Sequence, residues 1–403
     1  MYLIKRGDLA RPAAVVDVHF DAPPSEPIDT RALSTLWCLS RDADVVQSIS
    51  FVDVTADDYV HHQQLIDLIR PTTPQITWTP RVISESLTVV ICTRDRAEGL
   101  RATLASLTAQ SDQDFDIVVV DSAPTTSAAR DVVDSVAGAR LRYVREPRPG
   151  LSRARNRGMA EVHTDLVAWI DDDEVADPSW VFWIRQGFAH GCRPSAVSGF
   201  MLPAELETEA QVLFEQYGGF NKGRGVVPEV LTFPGTVANV LYPLPGFGSG
   251  GNMAFRTASL RATGPFDPCL GAGTLTRGGE DTRAFALILA RGETVLHWPS
   301  AVTWHTHRRD LDALKKQFYG NSSGLTAYFM SMLRSRPSVA LDLARLVPQG
   351  VRDVWRNRGG GGRVGDLPLD FPRPLLAAGR HGLLAGAPLY LREAARSRRG
   401  GGS

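Results

Sequence analysis

Apolar runs and helix-type periodicity alternate through the middle of the chain. The stretches LTVVICT (87–93) and FDIVVVDSA (115–123) are typical of buried strands, because each is an almost unbroken apolar run. Between them, Leu100, Leu104 and Leu107 share one face of a predicted helix. Further strands are predicted over 141–147, 165–173 and 196–203, with helices over 127–138, 150–162 and 177–191. This alternation predicts an α/β core with a mostly parallel sheet that is covered on both faces.

The segments on either side of this core have other patterns. Residues 1–82 combine strand-like stretches and one short helical pattern with a proline-interrupted linker, which predicts a small appended N-terminal region. Residues 83–310 contain the alternating core. Residues 311–403 predict a helical C-terminal region, in which a glycine-rich stretch at 356–366 and the basic final residues are expected to be flexible.

Composition narrows the class of protein. The 44 basic and 44 acidic residues cancel, so the net charge gives no reason to expect a nucleic-acid partner. The four cysteines lie far apart without a C-x-x-C pair, which argues against a zinc ribbon, a redox dithiol or a disulfide framework. No apolar run approaches the roughly 18 residues that span a bilayer. The first residues lack the apolar centre of a signal peptide. We therefore expect a soluble, cytoplasmic protein.

Acidic residues follow directly after one of the predicted strands. The run DDDE at 171–174 places carboxylates so close together that they repel one another unless a cation lies among them. Strand alternation puts Asp171 and Asp173 on the same face. Thr93 and Asp121 also fall at the carboxyl ends of predicted strands, which is where ligands bind in such sheets. A divalent-cation site is therefore favoured, and acids placed at a helix N-terminus are the alternative.

Several motifs occur together in an order that is characteristic of one enzyme family. They are VVICTRDRAEGLRATLASL, DIVVVDSA, PGLSRARNRGM, AWIDDDEV and GGED. With this order and spacing the chain resembles the family-two glycosyltransferases of GT-A fold over about residues 87–307. The resemblance implies a GT-A-type nucleotide-sugar-binding core and an inverting transfer from a nucleotide-diphosphate sugar to an acceptor hydroxyl. The acceptor class stays open between a glycan, a lipid-linked molecule and a small molecule.

The resemblance also implies a divalent cation, Mn²⁺ or Mg²⁺, and residues that would hold it. Asp171 and Asp173 correspond to the two ends of the metal motif of the family. One histidine of the VTWHTH segment completes the metal site in related enzymes. His305 and His307 lie on the same face of the predicted strand, and His305 is favoured because it lies nearer the strand. A buried structural histidine is the alternative interpretation.

Other positions match the donor-binding part of the family pattern. Asp121 is expected to accept a hydrogen bond from the nucleobase, although capping the following loop would also explain an aspartate there. Arg155 resembles the basic residue near the nucleotide, and Arg153 and Arg157 are close competitors. Asp172 is expected to touch the ribose. The donor-binding residues implied by the resemblance are Thr93, Arg94, Asp121, Arg155 and Asp172.

The remaining motifs concern the acceptor. In the family the acid of the GGED motif is the general base, which makes Asp281 the predicted base and Glu280 a residue that orients the acceptor or caps the helix. A simple acidic cap is the alternative for both. The PGFGSGGNMAFR segment resembles the loop that lines the donor sugar and the acceptor, so Gly250, Gly251 and Asn252 are candidate sugar contacts.

Two other function classes compete with sugar transfer. A sugar nucleotidyltransferase also uses paired aspartates on an α/β sheet, but it usually carries a glycine-rich basic signature after its first strand, which CTRDRAEG matches poorly. A non-catalytic nucleotide- or carbohydrate-binding module is the other alternative. Such a module is expected to lose the acids that bind the metal or the acid that acts as general base. Here both motifs are intact.

The C-terminal segment from residue 373 mixes leucine-rich stretches with arginines. One interpretation is a peripheral contact with an anionic membrane surface at the inner face of the membrane, near a lipid-linked acceptor. The other is a helix that packs on the core and ends in a solvated basic tail. The sequence does not decide between them.

Overall fold

The computed structural model of the chain describes residues 1–73, 75–136, 140–233, 235, 241, 246–355, 367–368 and 370–400. The described strands are β1 (Tyr2–Ile4), β2 (Ala13–His19), β3 (Ile28–Asp29), β4 (Thr35–Asp42), β5 (Val45–Asp53), β6 (Tyr59–Val60), β7 (Leu87–Thr93), β8 (Asp116–Ser122), β9 (Leu141–Glu146), β10 (Leu166–Asp171), β11 (Glu174–Ala176), β12 (Ala196–Pro203), β13 (Glu229–Leu231), β14 (Met253–Arg256) and β15 (Val295–His305). The described helices are α1 (His62–Ile69), α2 (Ala97–Thr108), α3 (Ala128–Ser135), α4 (Leu151–Glu161), α5 (Trp180–Phe188), α6 (Glu209–Gln216), α7 (Thr257–Ala262), α8 (Glu280–Ala290), α9 (Leu311–Ser335), α10 (Ala340–Trp355) and α11 (Arg373–Gly400).

A mixed sheet forms the centre of the molecule. Its strand order is β11-β15-β12-β14-β10-β7-β8-β9, and β13 pairs with β15. The half formed by β10, β7, β8 and β9 is parallel, so the expected α/β class is confirmed. Beyond it, β14 runs antiparallel to both β10 and β12. The alternating pattern did not reveal this reversal, because β14 follows an irregular loop and an antiparallel strand needs no crossover helix.

The two faces of this sheet bury separate apolar clusters. Val89 and Ile91 of β7 point into the cluster beneath α2, α3 and α5, whereas Val90 between them points into the cluster beneath α4 and α8. This period of two is what a strand buried on both faces requires. Gly158 lets α4 approach β7 closely, since a Cβ there would lie 2.6 Å from a methyl group of Val90. The sheet is thereby held rigidly behind its strand ends.

The N-terminal region has its own four-stranded sheet, in the order β1-β5-β4-β2. Sequence patterns indicated β2 and β5 but not β4, which joins them at the centre. Trp37 and Leu39 of β4 pack with Phe200 and Val302 of the central sheet in one apolar cluster. The buried Arg41 also donates a 2.6 Å hydrogen bond to Asp177 of the core. The N-terminal region is therefore docked on the core by both apolar and ionic contacts.

Two long helices cover the far side of the core. α11 lies along α9, and Tyr390 of α11 donates a 2.7 Å hydrogen bond to Asp267. Leu384 and Leu391 of α11 remain exposed. The glycine-rich stretch at 356–366, which was expected to be flexible, lies outside the described residues. Of the final segment 396–403, also expected to be flexible, residues 396–400 instead continue α11, and 401–403 lie outside the described residues. None of the helices in the described part of the chain combines the length and apolar character needed to cross a bilayer.

Candidate active site

A cleft opens where the parallel strands end. β7 and β10 run side by side with Cys92 opposite Asp171, and β7 pairs with β8 with Thr93 opposite Asp121. The expected gathering of these residues at one edge of the sheet is therefore present. We call this opening the strand-end cleft. It is lined by Cys92, Thr93, Arg94, Arg96, Ser122, Gly150, Leu151, Ala154, Asp171, Asp172, Asp173, Ala272, Gly273 and Arg308.

The acidic run at 171–174 forms a turn between two strands. β10 ends at Asp171, and β11 begins at Glu174. Asp171 lines the cleft. Its partial removal from water there raises its pKa to about 7, although the charge of Arg155 acts in the opposite direction. The charges of Asp173 and Asp172 add to this increase. Crowded carboxylates of this kind prefer a proton or a cation.

Arg96 and Thr93 hold the middle of the acidic run. The Thr93 hydroxyl donates to Asp172 Oδ2 at 2.7 Å, and Arg96 donates to Asp172 Oδ1 at 3.1 Å. Arg96 also donates to Asp173 Oδ2 at 2.7 Å. Both oxygens of Asp172 are thus bound within the protein. Sequence reasoning missed Arg96 and selected its neighbour Arg94, which also lines the cleft and is 48% exposed.

The structure separates the two candidate histidines. Pairing of β11 with β15 places His305 opposite Glu174, and His305 Nε2 lies 3.9 Å from Asp173 Oδ1. His307 points away from the acidic run, with its Nε2 atom 3.2 Å from Glu215 Oε1. Burial lowers the pKa of His305 to about 3, so its imidazole is neutral, the form that binds metals.

Arg155 lies at the centre of the charge network. It is buried and donates to Glu280 Oε1 at 2.8 Å and to the Gly250 carbonyl at 3.0 Å. Its guanidinium also lies 3.8 Å from Asp171 Oδ1. The competing Arg153 and Arg157 bind elsewhere, at Ser397 and Glu161.

Gly250 leaves room for the guanidinium of Arg155. A Cβ there would lie 2.7 Å from a guanidinium nitrogen of Arg155 and 3.3 Å from Cβ of Asp281. Any side chain at this position would displace Arg155. Gly250 thus serves the site through its carbonyl and its small size.

Glu280 and Asp281 differ in their surroundings although they are adjacent. Glu280 is buried, its Oε2 atom has no hydrogen-bond partner among the described residues, and burial raises its pKa. Asp281 is partly exposed in the first turn of α8, and its Oδ1 atom accepts from the Thr282 N–H at 2.6 Å. Lys222, which no motif revealed, interacts electrostatically with Asp281. Asp281 is thus the acid of the pair that remains accessible.

One carboxylate oxygen of Asp121 has no hydrogen-bond partner among the described residues. The carboxylate is fully buried, and its Oδ2 atom accepts a hydrogen bond from the Tyr143 hydroxyl at 2.8 Å. Its Oδ1 atom has no partner among the described residues, and burial raises the pKa of the group. A buried carboxylate oxygen without a donor is costly, so this atom suits a hydrogen bond from a ligand. Sequence reasoning identified Asp121 but not Tyr143.

Asn252 has a structural role instead of the expected sugar contact. It is fully buried, and its amide group donates to the carbonyls of Phe200 at 2.7 Å and Ala301 at 2.9 Å. Its side-chain oxygen accepts from the Trp180 indole at 3.0 Å. The hydrogen-bonding capacity of the amide is therefore used to join β12, β15 and α5.

Gly251 lies against Glu174, the last residue of the acidic run. A Cβ at Gly251 would lie 1.7 Å from Glu174 Oε1, so this approach requires glycine. Glu174 is buried, and neither of its carboxylate oxygens has a hydrogen-bond partner within the described part of the chain. Burial, with the nearby charge of Asp171, raises the pKa of Glu174 well above its ordinary value.

The side chains at the acidic run are of the types that bind divalent cations, although in the described residues they do not form a closed set of ligands. Among the described residues, no three His, Cys, Asp or Glu side chains are arranged to hold a metal ion as they lie. The donor set is nevertheless appropriate, because Asp173 Oδ1 and His305 Nε2 approach each other beside Asp171. Carboxylate and imidazole ligands suit Mn²⁺, and carboxylates suit Mg²⁺. A cation would also relieve the repulsion within the acidic run.

Comparison with known proteins shows that part of the chain is similar to one enzyme family. Residues 88–187, which include the first cleft-forming strands and the acidic run, match the model of glycosyl transferase family 2. This segment of the chain is therefore similar to glycosyltransferase family 2. The Pre-mycofactocin glycosyltransferase of Mycobacterium tuberculosis is 26% identical over 245 residues, which are 59% of this chain and 46% of that protein. The present chain thus spans about half the length of this relative.

Other relatives are more distant or match a shorter segment. Succinoglycan biosynthesis protein ExoW of Rhizobium meliloti is 36% identical over 101 residues, 23% of this chain and 30% of that protein. A solved mannosyltransferase of Pyrobaculum calidifontis, in complex with GDP-Man and Mn²⁺, has 18% identity and a TM-score of 0.46, over 81% of this chain and 79% of that chain. A structural likeness of this degree carries no inference about the ligands of the present chain.

Proposed function

We propose that the chain transfers a sugar from a nucleotide-diphosphate donor to an acceptor hydroxyl with inversion at the anomeric carbon, using a divalent cation in the strand-end cleft. The observation that carries this proposal is the crowding of acids at the sheet edge. Asp171 has a raised pKa there, and Asp173 and His305 approach one another beside it. A diphosphate and a cation together would balance these charges.

Three side chains would hold the cation: Asp171, Asp173 and His305. The Oδ1 atom of Asp173 is suited to this role, because its Oδ2 atom is already bound by Arg96 while Oδ1 faces His305. A bound cation would neutralise the charge that develops on the departing diphosphate. Arg96, which also lines the cleft, would keep Asp172 and Asp173 in place.

Donor recognition is proposed to begin at the ends of β7 and β8. The unpaired Oδ1 atom of Asp121 would accept an N–H from the nucleobase, while Tyr143 holds the other oxygen. Thr93 and Arg94 line the cleft between Asp121 and the acidic run. Asp172, whose oxygens are both bound by protein donors, would act mainly by keeping this wall in place.

Asp121→Ala is expected to weaken binding of the nucleotide-sugar donor by roughly 10- to 100-fold, the range for loss of a hydrogen bond to a charged group. Tyr143→Phe should weaken it less, because the carboxylate is retained and only its positioning donor is lost. Isothermal titration with the donor in the presence of Mn²⁺ measures both effects. Unchanged donor affinity in Asp121→Ala would remove Asp121 from the nucleotide site.

Asp281 is proposed as the general base. It is partly exposed in the first turn of α8, whereas Glu280 is buried against Arg155 and cannot reach an acceptor without breaking that pair. Asp281 would take the proton of the acceptor hydroxyl as the oxygen attacks the anomeric carbon. Glu280 would hold Arg155 in position. A single displacement of this kind inverts the anomeric configuration.

One experiment tests the proposed reaction directly. The chain is incubated with uridine, guanosine and thymidine diphosphate sugars, with Mn²⁺ or Mg²⁺ and a panel of acceptors, and nucleotide release and product configuration are followed by NMR. Acceptor-dependent release of a nucleoside diphosphate with inverted product supports the proposal. Formation of a nucleotide sugar from a sugar phosphate would indicate a nucleotidyltransferase, and donor binding without turnover would indicate a binding module.

A lipid-linked acceptor remains one of the acceptor classes, and α11 provides a way to test it. Leu384 and Leu391 are exposed at a helical spacing that puts them on one face. If this face contacts lipid, the chain floats with phosphatidylserine vesicles, and Leu384→Gln combined with Leu391→Gln reduces the floated fraction several-fold while leaving the melting temperature unchanged. Equal flotation of both forms would favour the helix that only packs on α9.

A further inference from the structure

A buried path of hydrogen bonds runs from the acidic run to the N-terminal region. His305 Nδ1 lies 2.9 Å from His307 Nδ1, and His307 Nε2 lies 3.2 Å from Glu215 Oε1. The other oxygen of Glu215 accepts from the Trp37 indole N–H at 3.0 Å and from Arg6 at 3.2 Å. Trp37 belongs to β4 and Arg6 follows β1. The N-terminal region therefore supplies the last two members of the path.

The His307–Glu215 part of the path is enclosed by protein. The His307 side chain is fully buried, and the rings of Phe214 and Phe220 lie 4.9 and 5.6 Å from its imidazole. Gly219 has a left-handed backbone (φ +57°), and a Cβ there would lie 2.1 Å from Glu215 Oε1. The backbone thus closes over the Glu215 carboxylate.

The hydrogen bonds determine where the protons lie. Although burial opposes it, the hydrogen bond with His307 and the charge of Arg6 lower the pKa of Glu215, which is therefore a carboxylate and only accepts. His307 Nε2 must then be the donor. The 2.9 Å contact between the two Nδ1 atoms requires one donor and one acceptor. With its own proton on Nε2, His307 supplies the acceptor, so His305 Nδ1 carries the next proton. The lone pair of His305 is left on Nε2, which lies 3.9 Å from Asp173 Oδ1.

We propose that Glu215, held by Trp37 and Arg6, is a positioning residue that sets the tautomer of His305 and so prepares the cation site from the N-terminal region. This inference rests on the proposed function, since it takes His305 to be a metal ligand. It gives the N-terminal region a role in the reaction that its sequence did not reveal. Carboxylates that orient metal-binding histidines through such hydrogen bonds typically change metal affinity by 10- to 100-fold.

Glu215→Gln separates charge and proton placement from size. The amide of a glutamine has one acceptor and one donor end, whereas His307, Trp37 and Arg6 all present donors to Glu215. If the amide NH₂ turns toward His307, that imidazole must accept at Nε2 and donate from Nδ1. His305 would then carry its proton on Nε2, directed at Asp173, where it blocks a metal bond.

Trp37→Phe is the second variant, because it keeps an aromatic ring in β4 and removes only one donor to Glu215. Trp78→Phe is its matched control. Trp78 also donates an indole N–H at 3.0 Å, to Gln186 of α5, and so joins the segment before β7 to the core without contact with the histidine path. Both variants thus remove an indole N–H that donates to a side-chain oxygen, but only Trp37→Phe removes it from the histidine path.

Two readouts test the inference without measuring turnover. Titration calorimetry with Mn²⁺ alone measures cation affinity, and ¹⁵N NMR of imidazole nitrogens in the metal-free chain identifies the tautomers. We expect protons on His305 Nδ1 and His307 Nε2. We expect Mn²⁺ affinity to fall about 10- to 100-fold in Glu215→Gln, to fall less in Trp37→Phe, and to stay unchanged in Trp78→Phe.

The outcomes separate this inference from the function on which it rests. If the parent chain binds no Mn²⁺, the proposed cation site fails. If the parent binds Mn²⁺ and both Glu215→Gln and Trp37→Phe bind it equally well, the site stands and the positioning role of Glu215 is overturned. A proton on His305 Nε2 in the parent chain would also overturn it.

Discussion

Asp173→Ala is expected to abolish sugar transfer and to leave the fold intact. The variant loses the carboxylate that faces His305 across 3.9 Å, so the proposed site keeps too few ligands to hold a cation beside the diphosphate. Charge stabilisation of the leaving group by a metal is worth several kcal/mol, so the rate should fall on the order of 10³-fold or more. Single-turnover transfer at saturating donor and Mn²⁺ measures this loss.

Stability should change little in the same variant. Asp173 is 27% exposed and lies among carboxylates that repel it, so the loss of its ion pair with Arg96 is offset by reduced repulsion. Asp134→Ala, which removes an exposed acid paired with Arg130 on α3, is the control for loss of a surface carboxylate. Full activity of Asp173→Ala in the presence of a chelator would show that the metal assignment is wrong.

Asp281→Asn is expected to slow transfer by roughly 10²- to 10⁴-fold, the usual contribution of a positioned general base. An acceptor hydroxyl is a poor nucleophile at neutral pH, and asparagine has nearly the size of aspartate but cannot take the proton. Donor and Mn²⁺ affinities should remain near those of the parent chain, since neither ligand is proposed to contact Asp281. Calorimetry together with single-turnover transfer separates the two effects.

Glu280→Gln is the matched comparison, because the same chemical change is made one residue away. Its effect on transfer should be milder. Its melting temperature should fall, because a neutral amide compensates the buried charge of Arg155 less well than a carboxylate does. Parent-like transfer in Asp281→Asn together with failure in Glu280→Gln would exchange the roles of the two acids.

Much of the parallel half of the sheet could be predicted from the sequence. The strand predicted at 87–93 coincides with β7, and that predicted at 115–123 contains β8. An apolar run of strand length between turn residues needs only local information to be recognised. The same local rule placed Asp121 and Asp171 at strand ends on one edge of the sheet, and the structure puts them on the two strands that flank β7. The reversal at β14 escaped this rule, since strand direction depends on the connection.

The family resemblance predicted which residue types lie at the site but not the hydrogen bonds that they make. Arg155 was expected near the nucleotide, and only the structure revealed its contacts with Glu280 and Gly250, which lie 125 and 95 residues away in the chain. Asn252 matched the expected sugar loop, and only its three internal hydrogen bonds revealed a structural role. Motif position therefore predicted where chemistry gathers but not which atoms remain available for a ligand.

The sequence by itself determined the α/β class, the acidic run at 171–174 and the acids of the GGED motif, because each depends on residues close together in the chain. Only the tertiary structure decided which histidine faces Asp173 and that the N-terminal region reaches the site. Trp37 and Glu215 are 178 residues apart in the chain, and their hydrogen bond exists only because β4 packs against the central sheet. Pairings of this kind follow from the packing of whole elements, which local periodicity does not encode.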